Sequence, residues 1–223
     1  MKISKFPKEI NEDLAEETGW HIGDGSMNYY NSKGYKRGLY QLRGHIEDDK
    51  EHYIKRILPI FKKLYGIKIN AREMPSTRVF GFQIWSTNLI EFKETLGLKT
   101  GPKTEVAIPS KFMINSQLKN AVLRGIFDTD GCLYLEKKNN KLYPRLQIST
   151  ISINLANQLK EILEGENINA KVNKSHRTLK GNRKPSYVTV VRGPTMLEEF
   201  MKKIKPQNPK HIKKHIFFKE SFK

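Results

Sequence analysis

The sequence predicts an α+β protein made of two αββαββα repeats that are related by a pseudo-twofold axis. A short pattern ending in Asp-Gly occurs twice, at Asp24 and at Asp130, 106 positions apart. The same order of helical and extended patterns follows each Asp-Gly. A length of 223 residues is enough for two units that each bury a core. We expect a first repeat over 1–97, a linker over 98–115 and a second repeat over 116–223.

In the first repeat, a helix is expected to end at Asp24. Apolar residues from Ile54 to Tyr65 recur three and four positions apart, which predicts an amphipathic helix over 49–65 that Gly66 ends. Aromatic and β-branched residues interleaved with polar ones predict the strands. These are 26–33, 36–46, 67–73 and 79–85, with a turn at 32–34 and a further helix over 86–96.

The second repeat follows the same order after Asp130. The expected elements are strands 132–138 and 143–149, a helix over 152–165, strands 168–174 and 186–192 and a helix over 195–204. Residues 202–223 are rich in Lys and carry Ile212, Ile216 and Phe217, which predicts a basic amphipathic helix that covers the second repeat and touches a nucleic-acid backbone.

The charge of the chain predicts a nucleic-acid partner. Lys and Arg number 41 against 23 Asp and Glu, which gives a net charge of +18. A membrane-surface protein is the competing alternative. No apolar run of about 18 residues is present, which excludes a transmembrane helix, and residues 1–10 lack the apolar core of a signal peptide. We therefore expect a soluble, cytoplasmic protein. The single cysteine, Cys132, excludes an intrachain disulfide, argues against structural zinc and is expected to be a small buried residue.

The two Asp-Gly sites predict a metal centre. A carboxylate at the C-terminal end of a helix is disfavoured by the helix dipole unless a cation is near. Small residues precede each site at helical spacing, Gly19 in the first copy and Gly125 in the second, which predicts close packing of the two helices. Such packing would bring Asp24 and Asp130 together, where two carboxylates recruit metal. An isolated Asp-Gly after a helix is usually only a turn, but the repetition favours a site.

A lysine accompanies each Asp-Gly at the same distance. Lys103 and Lys210 stand 107 positions apart, in the segments that follow the two repeats. We expect both to be catalytic, since an ammonium group can stabilise charge at an attacked phosphorus and contact the attacking water. Phosphate chemistry with Mg²⁺ therefore fits the acidic pair, the lysine pair and the basic charge.

The segment Leu123–Gly131 resembles the LAGLIDADG motif of a family of homing endonucleases, and Gly19–Gly25 resembles it from its third letter onward. Two motifs in one chain are similar to the single-chain, pseudo-dimeric members. The resemblance implies a monomeric, intron-associated enzyme in which two antiparallel sheets form a DNA-binding saddle around the motif helices. It also implies cleavage of both DNA strands with Mg²⁺ or Mn²⁺, leaving short 3′ overhangs. The motif match makes Asp24 and Asp130 metal ligands, assisted by the backbone oxygens of Gly23 and Thr129.

Several positions depart from the motif pattern or its surroundings. In the first motif, Ile22 replaces an earlier acid that is not the metal ligand. At the start of the second helix of each repeat, where relatives often place Gln or Lys, this chain has Asp48-Asp49 and Thr150-Ile151, and we expect Asp48 or Asp49 to cap its helix. His21 is expected to pack in the helix interface rather than to take part in catalysis.

Alternation along the strands selects the side chains that would face DNA, because residues two apart share a side of the sheet. Arg, Gln and Asn on that face can contact base edges. The first-repeat set is Asn28, Tyr30, Ser32, Lys33, Lys36, Arg37, Gln41, Arg43, His45, Arg72, Arg78 and Gln83. The second-repeat set is Tyr134, Glu136, Lys138, Arg145, Gln147 and Ser149. A basic loop, alternatively a solvated hairpin, would contact phosphates through Lys171, Lys174, Arg177, Lys180, Arg183 and Lys184.

The function predicted from these features is sequence-specific, divalent-metal cleavage of double-stranded DNA at a long, pseudo-palindromic target. Two alternatives stay open: an RNA-binding intron maturase, and a DNA-binding protein of the same fold that has lost cleavage. No splicing-domain motif is recognisable, so a free-standing polypeptide is favoured over an intein.

Overall fold

The structure, a computed structural model, describes residues 3–32, 34–139, 141–175 and 185–221. Within these ranges the strands form two four-stranded antiparallel sheets, one in each repeat. Both sheets have the same order, in which the second strand lies between the first and the fourth, and the third pairs with the fourth. The predicted α+β class and the paired repeats are confirmed.

The first repeat begins with α1 (Glu12–Gly23), whose start is fixed by the Asn11 side chain accepting a hydrogen bond from the Leu14 amide. Asp24 is the C-terminal cap of α1. The later elements are β1 (Gly25–Ser32), β2 (Tyr35–His45), α2 (Lys50–His52), a π-helical segment (Tyr53–Ile57), α3 (Leu58–Tyr65), β3 (Arg72–Met74), β4 (Val79–Trp85) and α4 (Thr87–Thr95).

The second repeat follows two short 3₁₀ turns, at Lys103–Glu105 and Ser110–Phe112. Asn115 caps the start of its first helix, where its side chain accepts a hydrogen bond from the Leu118 amide. The elements are α5 (Ser116–Asp130), β5 (Gly131–Lys138), β6 (Lys141–Thr150), α6 (Ile153–Gly165), β7 (Ala170–Ser175), β8 (Ser186–Arg192), α7 (Pro194–Lys203) and α8 (Pro209–Glu220).

One face of each sheet is buried and the other is open. In the first sheet, Tyr40 and Leu42 of β2 and Phe82 of β4 are buried, and the Phe82 ring meets the ring of Phe61 in α3 at a centroid distance of 5.0 Å. Because side chains alternate along a strand, burial of this face turns the alternate residues outward. The outward faces are the surfaces to which the sequence assigns DNA contacts.

The helices α1 and α5 pack against each other at the centre of the molecule. A methyl group on Gly19 would overlap the Val122 carbonyl oxygen, and one on Gly125 would overlap the Glu16 carbonyl oxygen. The two backbones are therefore too close for any side chain at these glycines. Across the same interface, the Arg124 guanidinium donates to the buried Glu16 carboxylate at 2.9 Å.

Several predicted elements differ in extent from those observed. The helix predicted over 49–65 contains the π-helical segment, and Gly66 ends it in the left-handed region at φ 64°. Of the strand predicted over 67–73, the paired part starts at Arg72. Within residues 202–221, Lys203 ends α7 and Pro209 starts the separate α8. Cys132 is partly exposed rather than buried. In the part of the chain that is described, no helix is long and apolar enough to cross a membrane.

Candidate active site

Asp24 and Asp130 meet where α1 and α5 end. Asp24 caps α1, and Asp130 is the last residue of α5. Gly23 faces the neighbouring helix so closely that a methyl group there would overlap the Thr129 hydroxyl and lie 3.5 Å from the Asp130 Cγ. The small residues of the two motifs thus bring the two carboxylates to one place, as the sequence predicts.

The protein disfavours ionisation of both carboxyl groups. Burial, followed by the charges of Asp130 and Asp49, raises the pKa of Asp24 to about 8. The Tyr53 hydroxyl donates a hydrogen bond to Asp24 at 3.2 Å and partly opposes this rise. Burial also raises the pKa of Asp130, against the pull of Lys103 and Lys210. A nearby cation would stabilise the ionised form of both carboxyl groups.

Lys103 covers the C-terminal end of α1. Its ammonium group donates to the backbone carbonyls of His21, Ile22 and Gly23 at 2.9, 2.9 and 2.5 Å. A cation at this position compensates the helix dipole and leaves fewer carbonyls without a partner. Burial lowers the pKa of Lys103, while Asp130 and Asp24 raise it.

Lys210 occupies the related position near α5 but has a different main partner. Its ammonium group lies 3.5 Å from the Thr129 carbonyl oxygen and 2.7 Å from a carboxylate oxygen of Asp49. The two lysines that the sequence predicts are therefore both at the site. One is held by backbone oxygens of α1, and the other is held mainly by a carboxylate.

Asp49 was missed as a site residue by the sequence interpretation. The expectation that its carboxylate caps the following helix is wrong, because the side chain makes no capping hydrogen bond. Instead it is buried and accepts from the His45 amide, the Asn208 side chain and Lys210. An acid before a helix is the usual sequence signal of a cap, so no local pattern could have identified this role.

The donors present fit a divalent cation that prefers oxygen. Asp24 and Asp130 supply carboxylates, and the backbone oxygens of Gly23 and Thr129 face positive groups, since each is contacted by a lysine ammonium. Among the described residues, no group of three or more His, Cys, Asp or Glu is close enough to hold an ion alone. An ion at the acidic pair would complete its coordination with backbone oxygens, water or phosphate.

His21 is buried and packs against the first sheet. Its ring stacks on Tyr40 of β2 with the centroids 5.5 Å apart. Burial, then the charges of Lys93 and Lys103, lower its pKa well below the usual value. A neutral, stacked imidazole fits the predicted packing role, with the sheet as its observed partner.

The open face of the first sheet carries most of the residues that the sequence assigns to DNA. Register pairs Gln41 with Ser26 and Gln83, and the Gln83 amide oxygen accepts from both Gln41 and Arg43. By the same alternation and pairing this face includes Asn28, Tyr30, Arg37, His45 and Arg72, and Arg78 lies in the turn before β4. Ser32 has a described backbone at the end of β1.

Lys36 and Lys33 stand apart from this set. Lys36 alternates to the opposite side of the sheet, where its ammonium group lies 3.6 Å from the centroid of the Tyr29 ring. Lys33 lies outside the described residues.

The open face of the second sheet has a comparable arrangement. Glu136 forms an ion pair with Arg145 at 2.5 Å and lies 3.5 Å from the Lys138 ammonium group. Register places these residues together with Tyr134, Gln147, Ser149 and Lys171. Lys174 alternates to the other face of β7, and Arg177, Lys180, Arg183 and Lys184 lie outside the described residues.

Trp85 is an exposed aromatic on the open face of the first sheet that the sequence interpretation left out. It is 45% exposed, its ring meets that of Tyr30 edge-on at 6.0 Å, and the Arg37 guanidinium lies 4.9 Å from it. Trp85 stands two positions after Gln83 in the same strand, so the alternation that assigns Gln83 to this face also assigns Trp85 to it.

Comparison with known proteins supports the fold and its family. Residues 117–205 match the family model described as a LAGLIDADG-like domain. Over 208 residues the chain is 29% identical to the replication factor C small subunit of Methanocaldococcus jannaschii. That match covers 92% of this chain but 10% of the relative, so the chain spans about a tenth of the relative's length.

Solved structures with the same arrangement include mesophilic variants of the homing endonuclease I-DmoI, at a TM-score of 0.62 and 16% identity, covering 86% of this chain and 95% of that one. I-DmoI in complex with DNA and Ca has a TM-score of 0.59 at 16% identity, covering 86% of each chain. The LAGLIDADG meganuclease I-AabMI bound to uncleaved DNA has a TM-score of 0.57 at 14% identity, covering 95% and 90%.

Residues 117–205 thus match a LAGLIDADG-like domain, and the chain as a whole has the pseudo-dimeric fold of the single-chain, two-domain LAGLIDADG homing endonucleases.

Proposed function

We propose that this protein is a sequence-specific, divalent-metal-dependent endonuclease that cuts both strands of DNA and leaves short 3′ overhangs. The observation that carries the proposal is the pair of carboxylates, Asp24 and Asp130, at the adjoining ends of α1 and α5, with Lys103 and Lys210 beside them. Carboxylates with raised pKa values beside a basic surface suit metal and phosphate together. The similarity to LAGLIDADG homing endonucleases supports the same chemistry.

Asp24 and Asp130 would hold the metal, with the backbone oxygens of Gly23 and Thr129 as further ligands. A bound Mg²⁺ or Mn²⁺ would supply an activated water and stabilise the leaving oxygen. The use of such ions is supported by structures of I-DmoI bound to DNA, which contain Ca or Mn.

The two lysines contribute positive charge and groups that can accept or donate a proton. Burial lowers the pKa of Lys103, so the neutral amine, which could accept a proton from a water held nearby, is more accessible than in a solvated lysine. Lys210 remains tied to Asp49 and can donate to a phosphate oxygen as a fixed cation.

The two open sheet faces would read DNA in the major groove. Arg43, Gln41 and Gln83 present donors and acceptors suited to base edges, and the Trp85 and Tyr30 rings suit apolar contact with a thymine methyl group. Because the side chains of the two faces differ, the target would be long and only approximately palindromic. We assign the half-sites to repeats 1–97 and 116–223, joined by 98–115 within one monomer.

Selection of cleaved sites from a random duplex library tests this function. The parent protein in Mg²⁺ is expected to enrich a defined long site cut on both strands, and excess EDTA is expected to abolish the enrichment. Enrichment by binding without cleavage, at any concentration of Mg²⁺ or Mn²⁺, would show a DNA-binding protein that lacks nuclease activity. Preference for a structured intron RNA over every duplex would show a maturase.

A further inference from the structure

The carboxylate of Asp49, in the first repeat, contacts Lys210 of the second repeat. It is buried, with 4% of the residue exposed, and it lies beside Asp24: a carbon added at Gly44 would be 2.9 Å from Oδ2 of both side chains. Its Oδ1 lies 2.7 Å from the Lys210 ammonium group. Asp49 thus touches the cation that stands next to the two motif carboxylates.

Asp49 is itself held firmly. Its Oδ2 accepts from the His45 amide at 2.7 Å, and its Oδ1 accepts from the Asn208 side chain at 2.8 Å. Asn208 is completely buried and also donates to the Asp128 backbone oxygen at 2.8 Å. Asp49, which anchors Lys210, is therefore held by His45 of the first repeat and by Asn208 of the second.

The segment that carries Lys210 is fixed to the end of α5. The backbone amides of Gln207 and Asn208 donate to the Asp128 carboxylate at 2.9 to 3.1 Å. This places the start of α8 at the site, but the Lys210 side chain can still rotate about its four χ angles between the backbone and the ammonium group. A lysine side chain loses up to about 2 kcal/mol of conformational freedom when it is held in one place, so contacts to the ammonium group must offset this cost.

The corresponding position in the second repeat shows that this carboxylate anchor is specific to Lys210. Ser152 stands before α6 as Asp49 stands before α2, and its hydroxyl donates to the Val106 backbone oxygen at 2.6 Å. Lys103 lies in the linker shortly before Val106, and its ammonium group donates to three backbone carbonyls of α1 instead. Lys103 is thus held through the helix end, whereas Lys210 is held through a carboxylate.

We propose that Asp49 is a positioning residue that holds the Lys210 ammonium group beside Asp24 and Asp130, so that the first repeat sets the lysine supplied by the second. The inference rests on the proposed nuclease activity for its kinetic consequence, but not for its structural one. Loss of Asp49 would release one of the two lysines and leave the other in place. The two DNA strands would then be affected unequally.

The kinetic test uses a supercoiled plasmid that carries the duplex selected by the parent protein, in Mg²⁺. Asp49→Asn is expected to slow cleavage of one strand by roughly 10- to 100-fold, the scale of loss when a reacting group is displaced by about 1 Å, and nicked circles should accumulate. Lys210→Met should give the same product, and the double variant should be no slower than Lys210→Met alone. Equal slowing of both strands, additive losses or unchanged rates would overturn the proposal.

Glu51→Gln is the matched control, because Glu51 also pairs with a lysine of α8, Lys213 at 3.2 Å, on the exposed surface. This variant should cut both strands as the parent does. Calorimetric titration with Ca²⁺ separates positioning from ligation. Asp49→Asn should keep the parent's affinity for the ion, whereas loss of that affinity would make Asp49 a metal ligand instead.

The structural test needs no DNA and no activity. An amine-acetylating reagent, read by mass spectrometry of the folded protein, should modify Lys210 faster in Asp49→Asn than in the parent or in Glu51→Gln. Unchanged Lys210 reactivity in a variant with the parent's melting temperature would refute the positioning role. A parent that cuts no duplex but shows the expected change in reactivity would refute the nuclease proposal alone.

Discussion

Asp24 has a carboxyl group whose ionisation the folded, metal-free protein resists. The ordinary pKa of 3.8 applies in the unfolded chain, whereas burial and the neighbouring acids raise the folded value to about 8. Folding therefore takes up a proton between these two values, and the stability it provides is lost as the pH rises toward 8. The charge that the site needs for metal binding makes the metal-free protein less stable.

Asp24→Asn is accordingly expected to raise the melting temperature in EDTA at pH 8 and to have much less effect at pH 4. Asparagine removes the charge but keeps an acceptor for the Tyr53 hydroxyl. A gain of about 1 kcal/mol would appear as roughly 2–4 °C in a chain of this size. Thermal unfolding at both pH values checks this, and a lower melting temperature than the parent's at pH 8 would contradict it.

The residues of the site were only partly accessible to the sequence. Asp24, Asp130, Lys103 and Lys210 could be predicted because the duplication places each pair at nearly the same spacing. Asp49 could not, since its partners Asn208 and Lys210 lie 159 and 161 positions away and its local pattern is that of a helix cap.

Helices α1 and α5 meet through glycines that leave no room for a side chain. Gly19→Ala is expected to destabilise the protein by about 1–3 kcal/mol or more, because its methyl group would strike the backbone of Val122 and Gly125. Gly165→Ala is the control, since a carbon added there meets nothing within 4 Å. Urea unfolding measures both. Equal stabilities for the two variants would mean that the helices do not pack as closely as described.

The order of the elements could be predicted from hydrophobic periodicity, but their exact extent could not. The apolar spacing of residues 54–65 specifies a buried helical face, which a π-helical segment satisfies as well as an α-helix does. Extended residues before Arg72 look like a strand, but pairing with β4 decides where the strand starts. Tertiary contacts set these boundaries.

For the whole molecule, the chain's net charge of +18, together with the two open sheet faces, predicts DNA binding that weakens steeply with salt. Each phosphate contact releases counterions and adds about −0.9 to the slope of log affinity against log salt concentration on duplex DNA. Fluorescence anisotropy with the selected duplex in Ca²⁺, across a range of KCl concentrations, measures this slope. We expect a slope that corresponds to several phosphate contacts. An affinity that does not change with salt concentration would argue against DNA lying across both sheets.

The central claim is that the two repeats together form one composite active site. Cleavage of the selected duplex in Mg²⁺, with each strand labelled separately, tests it through Asp24→Asn and Asp130→Asn. The account predicts that the parent cuts both strands and that either substitution slows cleavage by roughly 100-fold or more, since even partners of metal ligands cost 10- to 100-fold. Variants that cut both strands as fast as the parent would contradict it.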